Sequence, residues 1–172
     1  MGAVSPLFKV AEVSEMLLAQ SVYTKAGRAP NPAEWAHLRD EMVAGRRLLV
    51  LAQTDNGTAI GQAQINFTPK YSLFRRLNIP EIQDLLVAPD YRRGGIGAAM
   101  IKFCEDLIRD KGLTEAGISF GLAPSYGQAQ RLYTKLGYVP DGSGAVYDRM
   151  PMNAGDVKPL DDNFCLMLIK TL

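Results

Sequence analysis

The chain has 172 residues, 47% of them hydrophobic and 22% charged, with 19 Lys and Arg against 18 Asp and Glu for a net charge of +1. A chain of this length is expected to fold as one domain that buries about 70% of its unfolded surface. Its near-neutral balance gives no global attraction to nucleic acid or to an anionic membrane, so neither is expected as a partner.

No apolar run approaches the ~20 residues of a membrane span, and the start MGAVSPLFKVAEV lacks the charged head and apolar block of a secretion signal. Cytoplasmic residence is therefore expected. Gly2 opens a lipidation-like stretch, but Pro6 stands where that pattern requires Ser or Thr. Cys104, Cys165 and the single histidine share no metal-ligating spacing, and no metal is expected.

In chain order, a short strand is expected to open the chain, followed by a helix over about 12–26 that carries Val13, Met16 and Leu17 and stops near Gly27. Asn31-Pro32-Ala33-Glu34 then supplies an N-cap, a first-turn proline and an N3 carboxylate, after which Trp35, Leu38 and Met42 recur at helical spacing until Gly45. His37 falls off that stripe and reads as a surface residue. Leu48 to Ala52 is a continuous apolar run, and Ala63, Ile65 and Phe67 alternate with Gln62, Gln64 and Asn66. Asp55-Asn56-Gly57 between them fits a hairpin turn.

EIQDLLVAP reads as a third strand, ended by Pro89. The following helix turns Ile101, Cys104, Leu107 and Ile108 inward, exposes Lys102 with Asp106 and Glu105 with Arg109 as pairs, and stops at Gly112. EAGISFGLA is a strand, and Ser125 with Gln128 forms a capping-box pattern for a helix whose stripe is Ala129, Leu132, Tyr133 and Leu136, with Gly137 at its end. The stretch from about 140 to 160 is dense in Gly, Ser, Pro and Asp and reads as a long loop, and NFCLMLIK closes the chain as a strand.

PDYRRGGIGAAM, between the third strand and its helix, carries the strongest chemical signal. The first turn of a helix has N–H groups without intrahelical acceptors and a partial positive charge, which together suit an anion. Gly94, Gly95 and Gly97 let that anion approach the backbone, while Arg92 and Arg93 can add charge-assisted hydrogen bonds to phosphate oxygens. A Walker loop is excluded because no Gly-Lys-Ser/Thr run follows, and a dinucleotide fingerprint fails because its third glycine is Met100. Arg92-Arg93-Gly94-Gly95-Ile96-Gly97 instead satisfies Arg/Gln-x-x-Gly-x-Gly/Ala, directly after a strand and before a helix.

In that stretch, and in AQRLYTKLGY downstream, the chain resembles the GNAT superfamily of N-acetyltransferases, over about residues 10–170 and most sharply from Glu81 to Gly142. The resemblance implies an α/β (α+β) fold with a mixed, mostly antiparallel central sheet flanked by helices. It also implies transfer of an acetyl group from acetyl-CoA to a primary amine, on a small molecule or a peptide, by direct attack in a ternary complex. A non-catalytic acyl-CoA-binding module is the alternative, and homodimers are common in the superfamily.

By the same resemblance, Arg92, Arg93, Gly94, Gly95, Ile96, Gly97 and Ala98 would hold the diphosphate, with Tyr126, Ala129 and Tyr133 along the rest of the cofactor. Tyr126 departs from the asparagine many members carry there. A main-chain N–H near Leu86 or Val87 would hold the oxyanion. Glu81 resembles the position of a general base, with Asp84 as the second candidate, because an amine of pKa ~10.4 must lose a proton before attack. On a regular strand Glu81 and Gln83 share one face and Asp84 takes the other, unless a bulge intervenes. Tyr133 matches the tyrosine that protonates the leaving thiolate. The acceptor would enter by about 23–32 and 140–160, which hold Tyr23, Arg28, Asp141, Tyr147, Asp148 and Arg149. KYSLFRRLN is basic with two aromatics, a weak nucleic-acid signal.

Overall fold

The computed structural model describes residues 5–172; Met1 to Val4, including the lipidation-like Gly2, lie outside the described residues. In chain order the elements are β1 (Leu7–Val10), α1 (Met16–Lys25), α2 (Pro32–Val43), β2 (Arg47–Gln53), β3 (Ala59–Asn66), α3 (Ser72–Leu77), β4 (Glu81–Val87), α4 (Ile96–Asp110), β5 (Glu115–Gly121), α5 (Gly127–Lys135), β6 (Val139–Tyr147), β7 (Met150–Pro151) and β8 (Phe164–Thr171). The fold is mixed α/β, with helices flanking strands whose pairing is mostly antiparallel. No helix among the described residues is long and apolar enough to cross a membrane. The chain divides into two compact units. The first holds the residues up to Asn66 with Ile82–Leu107, the second Phe67–Glu81 with Ile108–Leu172.

In the first unit the strand order is β1-β2-β3-β4, and β2 runs antiparallel to both β1 and β3. The β2–β3 hairpin closes at Thr54 and Thr58, where Gly57 at φ +82° supplies the left-handed residue that a three-residue loop needs. Asn31 caps α2 as expected, its Oδ1 accepting from Ala33 N at 3.0 Å. Met16, Ala19 and Val22 of α1 pack with Trp35 and Leu38 of α2 over Leu49 and Leu51 of β2. Each large aliphatic side chain buried this way contributes about 1.5–3 kcal/mol. Two expectations fail here. Leu17 is 73% exposed, because the buried stripe of α1 runs through its neighbour Met16, and Val13 sits in a 3-10 turn ahead of the helix. Glu105 is buried in α4 rather than exposed.

The second unit has strand order β5-β8-β6-β7, with β8 antiparallel to β5 and β6. Its core holds Tyr71, Phe74, Ile79, Val146 and Met167. The aromatics of KYSLFRRLN are thus core residues at the start of α3, a helix its basic composition hid. About half of the expected loop from 140 to 160 is strand, in β6 and β7. β6 pairs with β8 on both sides of a register break between Pro140 and Ala145, where Gly142 and Gly144 have φ of +85° and +77°. The bulging glycines interrupt the two-residue period and erase the sequence signal. The capping box at Ser125 does not form either: Pro124–Tyr126 make a 3-10 turn that leads into α5, whose N-cap Tyr126 makes no side-chain bond to the helix.

Gly117 of β5 faces the fully buried Phe74 ring, and a Cβ there would overlap three of its carbons. Gly117→Ala is expected to lower unfolding stability by about 1–3 kcal/mol, read as a drop in urea midpoint with unchanged slope.

Candidate active site

β4 is extended on either side of Asp84, whose own φ is +49°. A non-glycine residue in this region costs about 1–3 kcal/mol and persists only where its surroundings hold it. Its restraint comes from β3. Gln62, Gln64 and Asn66 lie on one face of β3 and are all buried, at 0%, 4% and 3% exposure. Gln62 Nε2 donates to the Asp84 carbonyl at 3.2 Å, Gln64 Nε2 donates to Asp84 Oδ2 at 2.9 Å, and Asn66 Nδ2 reaches Gln83 Oε1 at 3.5 Å. Gln64 Oε1 in turn accepts from Arg47 Nη1 at 2.9 Å. A buried amide without a partner would cost about 1–3 kcal/mol, so these bonds hold the irregular backbone and the amides together.

The break turns the Asp84 carboxylate into a pocket of about 170 Å³ within the first unit. Tyr23, Trp35 and Leu38 form its apolar side; Glu34, His37, Arg47, Gln64 and Asp84 form its polar side. Tyr23 and Trp35 meet edge to face with centroids 5.4 Å apart. Burial, and then the negative charge of Asp84, push the Tyr23 phenol well above its usual range, so it remains a donor to the Asp84 carboxylate. His37 is exposed, as expected, yet lines this pocket.

Glu81 occupies a different setting in the second unit. Its side chain is fully buried, with Oε1 at 2.7 Å from Arg149 Nη2 and 3.5 Å from Ser119 Oγ, while Oε2 has no hydrogen-bond partner. Arg149 is delivered by the β6–β7 turn, in which Asp148 and Arg149 both have positive φ. Burial alone would lower the Arg149 pKa, but the Glu81 carboxylate and Cys165 outweigh it and hold it above the usual value.

Tyr133 on α5 is 7% exposed, stacked on Phe120 and tilted against Tyr138. Burial pushes its phenol up to about 12. Tyr126 lays its ring over Gly121 and donates from its hydroxyl to Asp162 at 2.6 Å, which accounts for an aromatic residue here; Ala129 is half-buried one turn into α5. Of the segments expected to receive an acceptor, Tyr23 alone lines the pocket. Arg28 lies near Tyr23, Asp141 accepts from Tyr71 at 2.7 Å, Asp148 pairs with Lys70 at 2.7 Å, and Tyr147 donates to Asp161 at 2.8 Å.

The glycine stretch forms the turn into α4, with Arg93 at φ +66°, Gly95 at φ +79°, and Ala99 N donating to Gly95 O at 3.0 Å. Gly95 thereby caps the helix, and the N–H groups of Ile96, Gly97 and Ala98 have no acceptor within it. A Cβ on Gly95 would meet nothing within 4 Å, so the space beside these N–H groups is open to a ligand. Arg92 Nε donates to Val87 O at 2.9 Å, which fixes the side chain beside β4 and leaves its terminal nitrogens available. Unpaired amides, open space and two guanidinium groups fit a diphosphate. The half-buried Leu86 packs into the first-unit core and precedes Val87 on the same strand. Gly95→Val and Arg92→Glu are each expected to weaken CoA binding by about tenfold or more, measured by calorimetry; unchanged affinity in both would contradict this placement.

Gln62, Gln64, Glu34, Trp35 and Arg47 belong to no motif that marks them as site residues.

The model of the acetyltransferase (GNAT) family matches residues 15–138, which include parts of both units. No curated protein matches the chain. Among solved structures, it is similar to a GNAT superfamily phosphinothricin acetyltransferase from Sinorhizobium meliloti in complex with AcCoA, at 17% identity and TM-score 0.68, covering 97% of this chain and 88% of that one. It is also similar to the ribosomal-protein-S18-alanine N-acetyltransferase of Escherichia coli, at 16% identity and TM-score 0.67 over 97% and 94% of the two chains. An N-acetyltransferase from Staphylococcus aureus Mu50 matches at 11% identity and TM-score 0.70 over 97% and 98%. The chain belongs to the acetyltransferase (GNAT) family, whose acetyl donor is acetyl-CoA.

Proposed function

We propose that the enzyme acetylates a primary amine bound in the first-unit pocket, and that Asp84 accepts the amine's proton, directly or through a water. The observation that carries this reading is the left-handed Asp84, which turns a carboxylate into a pocket that is open to solvent and also edged by Glu34. A primary ammonium of pKa ~10.4 must lose a proton to expose its lone pair. Asp84 can attract the cation and then take that proton, while Gln64 and Tyr23 keep the carboxylate aimed.

When bound, acetyl-CoA supplies the activated thioester carbonyl. A main-chain N–H after the break, at Leu86 or Val87, serves the negative charge that develops on the carbonyl oxygen. Tyr133 serves the departing sulfur: a phenol pushed up to about 12 is protonated throughout the neutral range and can give its proton away. Arg92 to Ala98 hold the diphosphate. Glu81 is assigned a structural role, since a carboxylate sealed against Arg149 has no open path to a solvent-borne amine.

Asp84→Asn is expected to lower kcat/KM by about 10²–10⁴ with CoA affinity retained. Glu81→Gln is expected to cost about 3–5 kcal/mol of stability, because it leaves Arg149 buried without its counter-charge, and to spare turnover per folded molecule. A wild-type rate for Asp84→Asn with a collapse for Glu81→Gln would reverse the assignment. Tyr133→Phe should reduce kcat with little change in CoA affinity. Burial raises the folded pKa of Tyr133, so its contribution to stability is intact below about pH 10 and is lost as pH rises toward 12. Tyr133→Phe should accordingly lose less stability than wild type across that window in alkaline melting scans.

A further inference from the structure

The pocket is small, and its charges are unevenly compensated. The lined space of about 170 Å³ has room for about six non-hydrogen atoms, and its open side lets a longer ligand extend into solvent. Drug-sized ligands need about 300 Å³ or more, and an amino acid with its neighbours in a peptide would leave most of its atoms outside.

Two carboxylates from different elements face this space, Glu34 from α2 and Asp84 from β4, and neither belongs to an ion pair among the described residues. Glu34 accepts only a long bond from Asn31 Nδ2, at 3.3 Å. The cationic groups near the pocket are Arg47, His37 and Arg28. Arg47 donates to Gln64, and the Glu41 carboxyl is held below the usual range by Arg46 above all and then by His37 and Arg47. Arg28 stands near the Tyr23 hydroxyl. Trp35 and Tyr23 complete the wall, and aromatic faces attract ammonium groups.

A single carboxylate suffices for an amine that reacts, because that nitrogen gives up its charge. A second carboxylate in so small a space has work only if the ligand keeps a second positive charge through the reaction. Resting on the reading of Asp84 above, we propose that the acceptor is a short aliphatic diamine without a carboxylate, one ammonium at Asp84 and the other at Glu34. The nitrogen at Asp84 passes one proton to that carboxylate, forms the N–C bond to the acetyl carbon as the C–S bond breaks, and loses a second proton, equivalent to the one the sulfur gains, to become the amide. The sulfur departs as a thiolate and takes a proton. The nitrogen at Glu34 keeps its proton throughout, so the product is a monoacetylated monocation. Arg47 lines the pocket as well, but the two carboxylates outnumber it there, which disfavours a zwitterion.

The test is thiol release at saturating acetyl-CoA with diaminobutane, butylamine, aminobutyrate and an alanine-initiated tripeptide, using wild type and Glu34→Gln. Wild type is expected to favour diaminobutane over butylamine by about tenfold or more in kcat/KM, and Glu34→Gln to erase that preference through a raised KM for the diamine. The preference should also shrink with added salt if it is electrostatic. Equal use of diaminobutane and butylamine, better use of aminobutyrate or of the tripeptide, or a preference that survives Glu34→Gln would overturn the diamine assignment while leaving amine acetylation at Asp84 in place. Turnover of none of the four with CoA binding intact would overturn both.

Discussion

The structure depends on how one aspartate is held inside a strand. Asp84 has a backbone conformation that β4 would not adopt unaided, and three buried amides on β3 stabilise that segment by taking up its carbonyl, its carboxylate and the preceding side chain. The constraint is mutual. The amides need partners because water does not reach them, and the strand needs the amides because a left-handed aspartate is unfavourable on its own. Their combination leaves a carboxylate lining a pocket beside residues of α1, α2 and β3.

The two acidic residues of EIQDLLV show how one chemical group can stand in two different settings. Glu81 lies in the second unit, fully buried against Arg149, with a turn of two left-handed residues supplying the guanidinium. Asp84 lies in the first unit, bonded to neutral donors and open to the pocket. A carboxylate paired to a buried guanidinium is a structural commitment that is costly to break. One bonded to an amide and a phenol retains a lone pair and a negative charge for a cation. The glycine turn before α4 repeats the same logic with opposite sign, leaving amide donors open for an anion.

Much of this was legible beforehand. The turn from Arg92 to Gly97, its place between strand and helix, and the AQRLYTKLGY segment led to the family and to the fold class because they report local backbone requirements. Asn31-Pro32 similarly announced its helix through its own capping chemistry. What stayed hidden is non-local. Gln62 and Gln64 alternate as solvent-facing residues do, and nothing in the chain says that helices cover them or that β4 breaks opposite them. β6 was lost to the glycines that bulge from it, and α3 to the two arginines that share its six residues with buried Phe74. Glu34 reads only as a capping residue, since a carboxylate's position at N3 does not disclose the pocket beyond it.

The most direct measurement of the central claim is a crystal structure of the enzyme with CoA and an amine acceptor. The account expects residue 84 to keep a positive φ and the acceptor nitrogen to lie about 3 Å from its carboxylate, or one water away. An extended Asp84 with the amine seated away from it, or an amine bonded to Glu81, would contradict the account.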